Sequence, residues 1–367
     1  MSKDSEYSAI HYNSYLELEK LLGSQTLRSV ELGKPAHEEM LFIITHQVYE
    51  LWFKQINHEL YSVSNMFQND NVDERNLNTC VGRLDRVIGI FRLLIEQIRV
   101  LESMTPLDFL DFRSYLFPAS GFQSFQFREM EVLLGLKEEK RHVYHGHGYQ
   151  SVFDEEKKAL LQKLEDQKSV LELVEGWLER TPFLELGEFN FLEYYQDAVE
   201  TMLAKEKKAI MATDVIDDHY KEMRIKMLGD THTYFANIMD EEKHNELLEK
   251  GEVKMSYKAT IAVLFINLYR DEPILQMPFR LLSRLTDIDD FLTTWRFRHA
   301  QMVLRMLGNK VGTGGSSGHK YLAKTAKEHH IFGDLHNAST LLIPRSELPA
   351  LPKEMKERLG FYFSSTT

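Results

Sequence analysis

The stretch EEMLFIITHQVYELWFKQINHELYSVSNMFQ occupies residues 38–68 and decides the class of the fold. Its apolar side chains recur at steps of three and four residues, which is the spacing of one face of an α-helix. That face comprises Leu41, Ile44, Val48, Trp52, Ile56, Leu60, Val63 and Phe67. The stretch therefore predicts one long amphipathic helix of about eight turns.

Helical periodicity continues along the rest of the chain. Residues 77–101 repeat the same steps, and Thr105, Pro106 and Asp108 are typical of the start of a short helix. Further amphipathic helices are predicted at about 155–180, 189–210, 215–248, 255–270 and 287–307. Strand-like alternation is scarce, and no repeat of solenoid period is found. The sequence predicts an all-α fold, a large helical bundle in one domain over residues 1–367. The charged region at about 195–250 is expected to form a solvated helical face or a protruding helical subdomain.

Composition restricts the classes of function. Of the 367 residues, 43% are hydrophobic and 27% are charged, which is ordinary for a soluble globular protein. The formal net charge of -12 disfavours a nucleic-acid or anionic membrane partner, because like charges repel. The single cysteine, Cys80, excludes an intramolecular disulfide and a CxxC zinc site. Neither a signal peptide nor a bilayer-spanning apolar run is evident, so a cytoplasmic location is expected.

Two histidines lie within or beside apolar helix faces. His299 falls inside the stripe of the last predicted helix, one turn after Trp295, and His46 follows Phe42 by one turn in the first helix. Burying an imidazole costs free energy unless a hydrogen bond or a metal satisfies its nitrogens. Each histidine taken alone is compatible with a core residue bonded to a carbonyl. The two together indicate a site between helices.

Arg113 follows Phe109 by one helical turn in the segment PLDFLDFRSYL. A guanidinium offers a rigid fork for a carboxylate, and the neighbouring ring suits the aromatic part of an amino-acid ligand. A salt bridge to Asp108 or Asp111 is the alternative interpretation of this arginine.

Glycines cluster in GNKVGTGGSSGHKYL, residues 308–322. Their spacing matches neither the G-x-G-x-x-G nor the Walker pattern, so a nucleotide site is not predicted. A mobile linker and a loop that folds over a ligand both stay open. The remaining histidines, including the cluster at 142–147 and the pair His329–His330, fit no zinc or di-iron motif.

Three segments together resemble the tryptophan 2,3-dioxygenase family. They are LFIITHQVYELWFKQI (41–56), LDFLDFRSYLFPASGFQSFQFR (107–128) and WRFRHAQMVLRMLGNKVGTGGSSGHKYL (295–322), in the family's order. Weaker similarity runs from about Tyr12 to the LIPR at 342–345, so nearly the whole chain is covered. The resemblance implies a haem-dependent enzyme that uses O2 to cleave the C2–C3 bond of the indole ring of L-tryptophan, giving N-formyl-L-kynurenine.

The resemblance also implies roles for single residues. His299 corresponds to the proximal ligand of a b-type haem iron, and His46 to the distal histidine that accepts a hydrogen bond from the indole N–H. Arg113 corresponds to the clamp on the substrate carboxylate. The further expected substrate contacts are Phe42, Ile43, Ile44, Thr45, Phe109, Gly312 and Thr313. The residues expected to line the haem are Ser120, Arg128 and Trp295.

Tyr12 and Tyr15 correspond to family tyrosines that reach a neighbouring subunit's pocket, which implies a homotetramer with shared sites. The glycine-rich segment is expected to act as a lid ordered by substrate. Indole N–H is a very weak acid, so His46 is expected to position and polarise the ring rather than to act as a strong base. Three alternatives stay open: a haem oxygenase for another indole or aromatic amino acid, a haem-binding sensor or storage protein, and a helical scaffold without haem.

Overall fold

A computed structural model describes residues 9–69, 72–138, 141, 148–310 and 318–360. Helices dominate these ranges, and the only strands in them form one antiparallel pair, β1 (Glu185–Leu186) and β2 (Phe189–Asn190). The predicted all-α class is confirmed. Within the same ranges, no helix has the combination of length and apolar character that crossing a membrane requires.

The α-helices differ widely in length. They are α1 (Tyr12–Tyr15), α2 (Leu18–Leu22), α3 (Arg28–Glu31), α4 (Glu39–Phe67), α5 (Glu74–Leu101), α6 (Pro106–Arg113), α7 (Phe125–Leu134), α8 (Glu155–Glu165), α9 (Val170–Leu178), α10 (Phe191–Ala212), α11 (Asp218–Met239), α12 (Glu241–Glu249), α13 (Tyr257–Leu268), α14 (Gln276–Leu307), α15 (His319–Glu328), α16 (Gly333–Asn337) and α17 (Lys353–Leu359). Short 3-10 helices lie at Ser114–Leu116, Gly121–Gln123, Tyr149–Val152, Pro273–Leu275, Ala338–Leu341 and Arg345–Glu347.

Three long helices, α4, α5 and α14, form the body of the fold. α14 packs against α5 and α15, and α4 packs against α5, α7 and α9. Their apolar faces meet in one continuous core, to which Leu60, Phe91 and Leu292 contribute fully buried side chains. Burial of each such side chain stabilises the fold by roughly 1.5–3 kcal/mol. A second, smaller cluster joins the end of α5 to α6 and to the end of α14, around Phe112 and Met302.

Two of the predicted helices are each divided in the structure. The helix expected at 155–180 is α8 and α9, because Ser169 forms a capping box with Glu172 and starts α9. The helix expected at 215–248 is α11 and α12, because the Asp240 carboxylate accepts the N–H of Lys243 and starts α12. Each cap satisfies backbone N–H groups that have no partner at a helix start, so a new helix begins there although the apolar spacing continues.

α14 begins at Gln276, well before the predicted start at 287. Pro278 lies in its first turn, where a missing N–H leaves no intrahelical hydrogen bond unmade. The first half of α14 therefore contributes residues to the core, and its second half contributes residues to the site.

The charged region at 195–250 comprises most of α10 together with α11 and α12. Tyr195 on α10 and Phe235 on α11 are buried in the same core as the long helices, and the Tyr195 hydroxyl donates to the Leu341 carbonyl at 2.5 Å. Between these two buried positions, Met211, Val215 and Met227 are exposed. The region is thus anchored in the main core, and a protruding subdomain stays a prediction.

The N-terminal helices α1 to α3 lie on the surface of the chain. Over residues 9–33 the structure buries only Ser29. The buried carboxylate of Glu39 holds this segment to α4, because it accepts the backbone N–H groups of Arg28 and Ser29, each at 2.9 Å. Tyr12 and Tyr15, by contrast, are 72% and 70% exposed.

Candidate active site

A recessed cavity of about 280 Å³ opens between α4, α6, α7, α14 and α15. Its wall is largely apolar and aromatic, and it contains a few polar groups that converge on the space. The histidines and arginines of this wall are His46, His299, His329, Arg113, Arg128 and Arg296, and its carboxylates are Glu50 and Glu131. This combination is typical of a site for a small molecule with a planar apolar body and charged ends.

His46 reaches the cavity from α4. Its Nδ1–H donates to the Phe42 carbonyl one turn earlier, at 2.7 Å, so the proton is fixed on Nδ1 and Nε2 keeps its lone pair. The ring lies against the Phe42 ring, with 4.1 Å between centroids. Burial lowers the pKa of His46, and the hydrogen bond to the Phe42 carbonyl opposes this only in part. His46 is therefore a neutral hydrogen-bond acceptor on the cavity wall at physiological pH.

His299 reaches the same cavity from α14. Its ring stacks on Trp295, one turn earlier, at 5.2 Å between centroids and 14° between planes. Burial, together with the smaller effect of the charge that His46 would carry, lowers the pKa of His299 to about 4. Both imidazoles lie among protein atoms, and each ring has one part exposed to the open cavity. Among the described residues His299 has no hydrogen-bond partner. The alternative interpretation of His299 as a core histidine bonded to a carbonyl therefore does not hold within these residues.

Phenylalanine rings form an aromatic surface beside His46. Phe42 and Phe109 lie nearly parallel, with 5.7 Å between centroids, and Phe112 meets both rings edge-on. Phe109 is held in place because α6 starts with a capping box between Thr105 and Asp108. This aromatic surface can bind a planar aromatic ring by stacking and edge contacts.

Arg113 ends α6 and lines the cavity, one turn after Phe109. The Asp108 carboxylate, one candidate partner from the sequence, accepts the N–H and the hydroxyl of Thr105 at 3.0 and 2.6 Å. Arg113 lies next to the aromatic surface of Phe42 and Phe109, as binding of an aromatic amino acid by its carboxylate would require.

A buried ion cluster forms another part of the wall. The Glu131 carboxylate accepts hydrogen bonds from Arg128 at 2.8 Å and from Arg296 at 2.7 Å, and it also pairs with Arg141. Arg296 in turn donates to the His329 carbonyl at 2.7 Å, which ties α14 to the end of α15. Burial alone would raise the pKa of Glu131, but the charges of Arg141, Arg128 and Arg296 outweigh it and hold that pKa well below its ordinary value.

The structure brings together most of the residues that the sequence predicted for the site. Phe42, His46, Phe109, Arg113, Ser120, Arg128, Trp295 and His299 all line the cavity. Gly312 and Thr313 lie outside the described residues, as do the histidines at 142, 145 and 147. Tyr12 and Tyr15 lie on the surface and do not belong to the described wall of this chain's own cavity.

Ile43, Ile44 and Thr45 are not part of the described cavity wall, although they stand between Phe42 and His46 in the sequence. Each helical residue turns by about 100°, so only positions three or four apart, such as Phe42, His46 and Tyr49, share the cavity face. Ile44 is 44% exposed, whereas the sequence pattern placed it on the buried stripe of α4. The expectation that Ile44 is buried was wrong, because the first turns of α4 border the cavity and the N-terminal segment instead of the core.

Several wall residues were missed in the sequence. Tyr49, Phe53 and Phe127 surround Trp295, with ring centroids 6.1, 6.0 and 5.1 Å from it, and α15 contributes Tyr321 among others. Their spacing is that of ordinary core residues. The only available signal was the pair Arg128 and Glu131, two charges three residues apart at the start of an apolar run.

α15 begins at His319, inside the glycine-rich segment quoted above. Gly318, immediately before it, lines the cavity. Its φ is 49°, a backbone conformation that glycine adopts readily. The described part of this segment therefore borders the site, and residues 311–317 lie outside the description.

These features define a helical protein with a recessed aromatic cavity, two neutral histidines on its wall and a buried cationic cluster. A model of the tryptophan 2,3-dioxygenase family matches residues 1–342. The chain belongs to the tryptophan 2,3-dioxygenase family.

Curated relatives from distant organisms support this assignment. A tryptophan 2,3-dioxygenase of Bdellovibrio bacteriovorus is 47% identical over 358 residues, which cover 98% of this chain and 100% of the relative. One from Dictyostelium discoideum is 46% identical over 361 residues, 98% of this chain and 90% of the relative. One from Mus musculus is 47% identical over 342 residues, 93% of this chain and 84% of the relative.

Proposed function

We propose that this chain binds haem b and uses O2 to cleave the C2–C3 bond of the indole ring of L-tryptophan, with N-formyl-L-kynurenine as the product. The observation that carries the proposal is the pair His46 and His299, two neutral imidazoles on the wall of one aromatic cavity. Membership of the tryptophan 2,3-dioxygenase family supports the same reaction.

The donor chemistry of the cavity fits a haem. His299 has no hydrogen-bond partner among the described residues, and its low pKa keeps a nitrogen lone pair available for iron. The stacked Trp295 restricts the rotation of that imidazole. Ser120 and Arg128 would lie beside the porphyrin. Bound haem would supply the redox chemistry by which O2 reacts with an aromatic ring.

The chain's own residues would position the substrate. The aromatic surface of Phe42 and Phe109 would hold the indole ring, and Nε2 of His46 would accept a hydrogen bond from its N–H. Arg113 would bind the carboxylate. The apolar wall would exclude water, so the ring would be held in one orientation close to the oxidant.

His46 would act by positioning the indole rather than by removing its proton. Its pKa is lowered by burial, which makes it a weaker base than an ordinary histidine. Proton transfer is efficient only when the two pKa values are close, and an indole N–H is far less acidic than an imidazolium. Gly312 and Thr313 remain proposed contacts to the amino-acid end of the substrate, on the strength of the family motif alone.

We also propose a homotetramer in which the N-terminal segment completes a neighbour's site. The exposed tyrosines Tyr12 and Tyr15 and the exposed Ile10 and Leu22 support this, because a segment that buries so little on its own chain gains stability from a partner. A cytoplasmic location stays a prediction from the sequence.

The test is a reconstitution of the full chain with haem b, followed by O2 uptake and absorbance measurements with two substrates, L-tryptophan and tryptamine. We expect a Soret band and turnover of L-tryptophan, and much weaker turnover of tryptamine, which lacks the carboxylate that Arg113 would bind. Equal turnover of tryptamine would favour an oxygenase for another indole. Haem binding without O2 uptake would favour a sensor or storage protein, and the lack of a Soret band would overturn the proposal.

A further inference from the structure

The Glu131 cluster carries more positive than negative charge. Three guanidinium groups, from Arg128, Arg141 and Arg296, share the single carboxylate of Glu131, and all four side chains are at least about nine-tenths buried. Asp289, also buried, interacts electrostatically with Arg296, which leaves three cations against two anions. The cluster therefore keeps a net positive charge in the interior.

Arg141 shows this excess most clearly. Its side chain is 4% exposed, its guanidinium lies 4.1 Å from the centre of the Tyr149 ring, and one nitrogen pairs with Glu131. Its Nε and Nη2 are buried and have no hydrogen-bond partner among the described residues. A buried charge that its ion pairs do not fully neutralise is costly, and a negative charge elsewhere in the low-dielectric interior stabilises it.

The cavity is the place from which such compensation can come. Arg128, Glu131 and Arg296 are part of its wall, whereas Arg141 stands behind them, outside the described lining. The one further carboxylate among the described wall residues is that of Glu50 on α4; burial raises its pKa, and among these residues no ion pair joins it to the arginines of the cluster. A ligand that brings its own anionic groups into the cavity would offset the excess.

We infer that the Glu131 cluster makes the cavity select a porphyrin that carries free carboxylates, and that Arg141 contributes to this selection through its charge, without touching the ligand. The inference rests on the proposed function, since it names a property of the proposed haem site. Arg141 is thus a specificity-determining residue that acts through the buried ion cluster.

The expected size of the effect follows from Coulomb's law. Two unit charges about 10 Å apart, at an effective dielectric constant of about 20, interact strongly enough to change a binding constant by roughly tenfold. Removal of the Arg141 charge should therefore reduce the preference for a charged over an uncharged porphyrin by roughly tenfold.

The experiment compares haem b with its dimethyl ester, which has the same ring and iron but no free carboxylates. Both are titrated into the full-length apoprotein, and the dissociation constants are taken from the Soret band. We expect the wild type to prefer haem b by at least about tenfold. Arg141→Met should lower this ratio, Arg141→Lys should restore it, and Arg75→Met, at a side chain that is 90% exposed, should leave it unchanged.

Two results would overturn the inference. One is equal affinity of the wild type for the two porphyrins, a measurement that needs no variant and stands even if Arg141→Met does not fold. The other is an unchanged ratio in a folded Arg141→Met variant, as judged by circular dichroism. Failure of the wild type to bind either porphyrin would instead contradict the proposed function, so the two failures are distinguishable.

Discussion

Replacement of His46 by alanine tests whether this histidine positions the indole or removes its proton. Because Nδ1–H is bonded to the Phe42 carbonyl at 2.7 Å, only Nε2 can accept a hydrogen bond from the substrate. One such bond contributes about 0.5–1.5 kcal/mol, which corresponds to roughly a 2- to 13-fold change in kcat/KM. A general base typically contributes about 100- to 10,000-fold. We therefore expect His46→Ala to reduce kcat/KM by roughly tenfold or less.

The assay follows formylkynurenine by its absorbance with L-tryptophan and with 1-methyl-L-tryptophan, which has no indole N–H. With the methylated substrate the loss caused by His46→Ala should disappear, since that substrate has no N–H to donate a hydrogen bond to Nε2. His58→Ala is the matched control, because His58 lies on the same helix, is exposed and is not part of the described cavity wall. It should leave both substrates unaffected.

A loss of more than about 1,000-fold in His46→Ala, with the haem absorption unchanged, would refute this reasoning and make His46 a general base. A loss that persists with the methylated substrate would also refute it, because the hydrogen bond to the indole could not be the cause.

Three further predictions follow from the same geometry. Arg113→Met should raise KM for L-tryptophan by roughly 10- to 100-fold through loss of a charge-assisted hydrogen bond. Arg113→Lys keeps the positive charge and should show a smaller rise in KM. An unchanged KM of Arg113→Met in steady-state kinetics would contradict the role of Arg113 in binding the carboxylate. Glu131→Gln should lower the free energy of unfolding by roughly 3–5 kcal/mol and the melting temperature by roughly 10 °C, as measured by thermal denaturation. The pKa of Glu131 is held below its ordinary 4.5, so its ion pairs stabilise the fold fully above pH 4.5 and are lost as the pH falls further. The stability of Glu131→Gln should therefore fall less steeply below pH 4.5 than that of the wild type. The double variant Tyr12→Ala, Tyr15→Ala should lose activity by itself and regain part of it in mixed oligomers with Arg113→Met, whereas no recovery on mixing would contradict shared sites.

Features whose signals lie within one or two turns of helix could be predicted from the sequence. The helices predicted at 38–68 and 77–101 and the helix start predicted at Thr105 agree to within one turn with α4, α5 and the N-cap of α6, because apolar spacing and caps act between residues three or four apart. His46, Arg113 and His299 were singled out by their place beside apolar or aromatic neighbours, and the family motif added their proposed roles. The same local signals failed where a cap interrupted a continuous pattern, as at Ser169 and Asp240.

The cavity itself is a property of the tertiary structure. The Glu131–Arg296 ion pair joins residues 165 positions apart, and the sequence offers no sign that they meet. Packing also decides which face of α4 borders the cavity, which is why Phe42 and His46 lie on its wall while Ile44 is exposed. The sequence alone thus determined the helices and the residue types with chemical potential. Only the packing of distant helices determined which of them share one low-dielectric space, because burial, charge pairing and pKa depend on neighbours brought together in three dimensions.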